Sequence, residues 1–244
     1  MQIWRFDTTA IETKFELLLT STYNTSCLTQ VNYLRLGTES FLLTAGTDGH
    51  IAFWPLATFT GEQMVVEHGQ TVKLDAEYDF PEMQISWRKR HQIHQSSIKC
   101  MAITCLSEKD AMIATGGDDN SIAITLLSHS TTEPRLPVFS TLLIPRAHAA
   151  TITAIQLKAL VDKDTLPTQS RYRLLTSGND QRLKSWILSV DISEPGVERL
   201  LVTKDEDLYT GIADVSCMKV LPGDTSAHSV IVGGIGLETV RIGG

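Results

Sequence analysis

Short apolar runs, each cut off by a compact cluster of small and polar residues, set the pattern of this chain. The runs "FLL", "AMIA" and "RLL" lead into "TAGTDGHIAFW" (44–54), "TGGDDNSIAIT" (115–125) and "TSGNDQRLKSW" (176–186), which superimpose without a gap. Each segment opens on Thr (44, 115, 176), has Gly two residues later (46, 117, 178) and Asp four residues later (48, 119, 180). An apolar residue follows at Ile51, Ile122 or Leu183. Runs this short, bounded by Gly, Asp and Asn, predict strands joined by tight turns.

The flanks repeat as well. "HQSSIKCMAI" (94–103) matches "HAATITAIQL" (148–157), each a His followed four residues later by an Ile that opens a strand. "NTSCLTQVNY" (24–33) puts Asn24 in the His place, and a weaker copy from "GIADVSCMKV" (211–220) to "HSVIVGGIGLETVRI" (228–242) puts Gly211 there with no turn Asp. With outer strands at "QMVVEH", "VFSTLLI" and "RLLVT", each unit predicts a four-stranded antiparallel propeller blade. The expected units are 24–66, 94–144, 148–203 and 211–242, with 1–20 ending a preceding blade ("MQIWRF" being its third strand). The turn aspartates recur at more than the roughly 40–45 residues of a compact repeat. Insertions at 68–93 and 161–171 account for the excess. The fold class is all-β, a partial propeller of about four blades, expected to be a C-terminal fragment of a larger propeller protein because four blades do not close a ring.

Within a unit the recurring polar residues predict a structural staple. In the third unit the Trp186 indole donates to Thr176, Thr176 links to His148, and Asp180 holds the other imidazole nitrogen. The second unit keeps His94, Thr115 and Asp119 but has Thr125 for Trp; the first keeps Thr44, Asp48 and Trp54 without the His. Partial loss suits a structural role better than catalysis. No Ser–His–Asp, Cys–His, carboxylate-pair or metal pattern survives this register, so no catalytic, cofactor or metal site is expected. His91 and His94 lack an Asp or Cys at matching spacing for a metal. "ATGGDDN" and "VGGIGLE" are not phosphate-binding glycine loops, since neither leads into Lys-Ser/Thr or a helix.

Charge and cysteine content narrow the class further. Twenty-one basic against twenty-eight acidic residues leave a net charge of −7, which argues against a dedicated nucleic-acid module. One basic cluster stands out, "WRKRHQIH" (87–94), read as an insertion loop. Its Trp87 is able to stack, and Arg88, Lys89 and Arg90 to follow a phosphate backbone or meet a partner. Cys27, Cys100, Cys105 and Cys217 form no CxxC pair and are expected in entering strands as small hydrophobes. The lack of a leader or a bilayer-length apolar run predicts a cytoplasmic protein without membrane insertion.

The segments "HQSSIKCMAI", "IATGGDDNSIAI", "RAHAATITAI", "TSGNDQRLKSW", "IADVSCMKV" and "VGGIGLETVRI" resemble, in order, the WD-repeat superfamily. More narrowly they resemble the C-terminal region of the WD repeat-containing protein 6 family, fungal members included. The resemblance implies a non-catalytic scaffold and partner of an FtsJ-like 2′-O-ribose methyltransferase. It implies support for modification of the tRNA wobble nucleotide, position 34, with tRNA met through the complex. The fungal relatives also imply a second role, a protein-interaction propeller in endosomal recycling without RNA contact.

Overall fold

A computed structural model describes residues 2–7, 14–20, 26–56, 63–66, 70–73, 89–128, 138–160, 169–191, 199–221 and 228–243. For 2–7, 14–20, 63–66, 70–73, 55 and 89 it describes backbone alone. The described elements are all strands. No helix among these residues is long and apolar enough to cross a membrane.

The strands gather into three four-stranded and three two-stranded antiparallel sheets. A hairpin of β1 (Gln2–Asp7) and β2 (Lys14–Thr20) comes first. The first full blade joins β3 (Leu28–Leu36), β4 (Glu39–Gly46), β5 (His50–Leu56) and β8 (Lys89–Gln92). Between β5 and β8 lies a separate hairpin of β6 (Gln63–Val66) and β7 (Gln70–Lys73). The second blade is β9 (Ile98–Cys105), β10 (Asp110–Gly117), β11 (Ile122–Ser128) and β12 (Val138–Ile144). The third is β13 (Ile152–Leu160), β14 (Gln169–Gly178), β15 (Arg182–Asp191) and β16 (Leu200–Tyr209). Strands β17 (Ala213–Val220) and β18 (His228–Ile242) form a two-stranded fourth unit. The innermost strands β3, β9, β13 and β17 touch in sequence order, as consecutive blades of a partial propeller do.

Three boundaries differ from the sequence reading. "QMVVEH" does not supply the outer strand of the first blade: residues 63–66 pair with 70–73, and Lys89–Gln92, read as part of an insertion loop, pairs with β5 instead. The β14 strand begins at Gln169, inside the expected 161–171 insertion. The outer strand of the third blade runs on to Tyr209. Hydrophobicity alone misplaced the first edge. An outermost strand buries little, so the polar sequence Lys-Arg-His-Gln serves there.

The core lies between sheets. Phe41, Leu43, Ile51 and Phe53 of the first blade pack on Ile98, Ala111, Ile113 and Leu127 of the second. Met112, Ala114, Ile122 and Ile124 use the opposite face to meet Leu174, Trp186, Leu188 and Val190 of the third. Leu175 and Leu183 then meet Val215, Val230 and Val232 of the fourth unit. A middle strand buried on both faces must be continuously apolar, and Ala111–Gly117 is buried at every position. Each fully buried Leu, Ile or Phe contributes about 1.5–3 kcal/mol, so these layers hold the sheets face to face.

Candidate functional site

The three superimposing segments build the same hairpin bend. Gly49, Asn120 and Gln181 each donate a backbone N–H to the residue three back, Gly46, Gly117 or Gly178, at 3.3, 3.2 and 3.1 Å. Each also adopts positive φ (75°, 62° and 57°), which makes a type I turn closed by a left-handed residue. The glycine at the strand end is required by crowding. A Cβ on Gly117 would lie 2.6 Å from the Ser97 carbonyl oxygen, and one on Gly178 would lie 2.4 Å from that of Thr151. Those carbonyls accept the next N–H in the bend, Asp118 to Ser97 at 2.9 Å and Asn179 to Thr151 at 3.0 Å.

The middle residue of the bend is the aspartate. In the third blade Asp180 accepts from His148 Nδ1 at 2.9 and 3.0 Å, from the Ala149 N–H at 2.9 Å and from the Arg182 N–H at 3.2 Å. With Nδ1 donating to a carboxylate, Nε2 is left as an acceptor for the Thr176 hydroxyl, 2.9 Å away. The Thr176 oxygen in turn accepts the Trp186 indole N–H at 3.2 Å. Direction is conserved along the line: Trp to Thr to His to Asp. The His148 side chain is 0% exposed. Burial is the largest influence on its imidazole and lowers its pKa, outweighing Asp180. Burial pushes the Asp180 carboxyl up, but the three donors hold it below its ordinary value.

The second blade repeats this down to the threonine. Asp119 meets His94 Nδ1 at 2.9 and 3.1 Å, the Gln95 N–H at 3.0 Å and the Ser121 N–H at 3.1 Å. His94 Nε2 is 2.9 Å from Thr115 Oγ1. Burial again pushes Asp119 up, and His94, Gln95 and Ser121 bring it below its ordinary value. Thr125, in the tryptophan place, hydrogen-bonds Thr141 at 2.9 Å instead. On the same outer strand as Thr141, Phe139 stacks on His91 and meets Phe53 edge-on.

The first blade carries a substitution that the sequence concealed. Trp54 donates to Thr44 at 2.8 Å, while Asp48 receives the guanidinium of Arg90 at 2.5 Å and the His50 N–H at 3.2 Å. Arg90, expected in an RNA- or partner-binding cluster, therefore supplies a donor to the turn aspartate of the first blade, as an imidazole does in the next two. Trp87, Arg88 and the Lys89 side chain lie outside the described residues, as does Asn24. This donor to Asp48 was not legible because 42 positions and a separate hairpin divide Arg90 from Asp48.

The fourth unit corrects a second assignment. Thr210, not Gly211, occupies the His place. Its N–H bonds the Gln181 carbonyl at 2.9 Å, just as those of His94 and His148 bond Gly49 and Asn120 at 3.1 and 3.2 Å. Gly211 then donates to Glu238 at 2.8 Å, so a glutamate takes over a bond that the turn Asp makes elsewhere. The entering segment is longer by one residue, which Asp214 absorbs at φ 48°, and an ungapped alignment slips there. The cysteines also divide: Cys100 is buried and pushed up to about 12 by burial, but Cys27, Cys105 and Cys217 are exposed rather than packed. Among the described residues no group of three His, Cys, Asp or Glu gathers as for a metal ion.

No family profile matches the chain. It is similar to curated proteins named tRNA (34-2′-O)-methyltransferase regulator WDR6. The Bos taurus protein is 27% identical over 209 residues, covering 81% of this chain and 16% of that protein. The Homo sapiens and Mus musculus proteins are each 26% identical over the same shares. The chain thus spans about a sixth of the length of the curated relatives it matches.

Proposed function

We propose that this chain is a non-catalytic WD-repeat segment that supports 2′-O-ribose methylation of the tRNA wobble nucleotide, position 34, by an FtsJ-like methyltransferase. The similarity to regulators of that modification over 81% of the chain carries the reading. The bend chemistry is compatible with it. His94, His148, Asp119 and Asp180 spend their polar atoms on one another and on backbone N–H groups, which leaves no poised acid, base or nucleophile among them. In this reading the protein works in the cytoplasm, where its free cysteines persist.

The test is genetic and biochemical together. The tagged protein is expected to retain the methyltransferase on purification, and cells lacking it are expected to lose the 2′-O-methyl mark at position 34. An intact mark in such cells refutes the proposal. A second reading, a protein-interaction propeller in endosomal recycling without RNA contact, draws support from Arg90: its pairing with Asp48 commits one of the cluster's cations to the fold. Retention of trafficking proteins with no methyltransferase would favour it.

A further inference from the structure

Lys158 and Arg173 lie directly opposite each other in the β13–β14 ladder. Like charges in that position destabilise a sheet. Both point toward the fourth unit: Ala154 and Leu175, which share their faces, belong to the apolar layer shared with Val230 and Val232. His228, two residues before Val230 on the same face, closes the end of that layer and is 5% exposed. Burial first, and then the positive charges of Arg173 and Lys158, lower the pKa of its imidazole.

These groups are short of acceptors. The Arg173 side chain is 11% exposed, and its ion partner is Asp205, 3.6 Å from Nη1. Asp205 is already bonded to Ser185 at 3.0 Å. Arg173 Nε and Nη1 and His228 Nδ1 are all buried without a hydrogen-bond partner. Burying donors unmatched costs about 1–3 kcal/mol each, and more where charge is carried. Lys158 remains exposed, so the cluster has one member open to solvent. A guanidinium and an imidazole with unmatched polar atoms, on a face that also carries an exposed ammonium, suit an oxyanion with several acceptor oxygens.

The geometry points to a phosphate-binding site formed by Lys158, Arg173 and His228 where the third blade meets the fourth unit. Its source is a phosphodiester of RNA if the proposed function holds, and the site deepens that reading; a small phosphorylated molecule presents the same chemistry. Binding is tested on the whole chain with inorganic phosphate and with a tRNA anticodon stem–loop, following the His228 ring resonances by NMR. Phosphate is expected to move them, and Lys158→Gln to weaken phosphate binding about tenfold. Lys158 is exposed, so this variant keeps the fold, and Arg173→Met gives a second, buried replacement of similar length.

If the stem–loop competes with phosphate, the site takes the RNA backbone, and Lys158→Gln lowers the slope of log affinity against log salt by about one. Competition by phosphate esters without competition by RNA supports the site and assigns it to a small ligand. Unmoved His228 resonances together with unchanged affinity in Lys158→Gln overturn it. The wobble mark in cells is read separately, so loss of the site and loss of the proposed function are distinguishable.

Discussion

Asp180→Ala separates a built staple from a decorative one. The carboxylate serves three donors, and they differ in what they lose. Ala149 and Arg182 are exposed, so water takes over their N–H bonds and each contributes little. The His148 side chain is 0% exposed, so its Nδ1–H loses its acceptor with no water to replace it, at about 1–3 kcal/mol. The imidazole's other contact deepens the cost. If the ring flips to find an acceptor, the Thr176–Trp186 link breaks as well. The expected loss is about 2–3 kcal/mol.

Asp48→Ala supplies the internal contrast. Its partner Arg90 has a side chain 28% exposed, against 0% for the imidazole. Such a pair is screened, and its loss costs about 0.2–1 kcal/mol. Urea unfolding measures both. With a slope near 2–3 kcal/mol per molar, Asp180→Ala is expected to lower the midpoint by roughly 1 M and Asp48→Ala by less than about 0.5 M. Native-state hydrogen exchange at Ala149 provides a local readout, since its amide loses its protection only in Asp180→Ala. Equal midpoints for the two variants, or a protected Ala149 amide in Asp180→Ala, would refute the directional Trp–Thr–His–Asp line.

Two further outcomes follow from the same bonds and from burial. Because the folded pKa of His148 lies below its ordinary 6.5, the unfolded chain binds the extra proton, so stability is expected to fall as pH drops below about 6.5. The depressed carboxyls of Asp119 and Asp180 add a second loss below their ordinary 3.8; urea midpoints across pH 3–8 check both steps, and a flat profile between pH 7 and 5 contradicts the first. Alkylation with iodoacetamide at pH 8 is expected to modify Cys27, Cys105 and Cys217 on the folded protein and Cys100 only after unfolding, because Cys100 alone is buried with its thiol pushed up to about 12. Mass spectrometry reads the sites, and equal labelling of Cys100 in the native state contradicts it.

What the sequence made legible, and what it hid, divide along one physical line. Thr176, Asp180 and Trp186 fall within a single hairpin, so the bend that needs them fixes their spacing, and His94 and His148 recur because in both blades the next strand starts four residues later. Bonds set by one bend leave a pattern in one segment. The Arg90–Asp48 pair leaves none, since the fold only needs some donor beside Asp48 and takes it from an outer strand past an inserted hairpin. Glu238 was hidden for the same reason: once the entering segment gains a residue at Asp214, the bond to the Gly211 N–H is satisfied by a different residue type further along. Lys158, Arg173 and His228 come from three strands of two adjacent units, and no turn ties their spacing together. Structural bonds within a blade are therefore readable from this chain by repetition, whereas chemistry placed between blades is unrepeated, and that is where a ligand site belongs in a fold whose copies otherwise do the same thing.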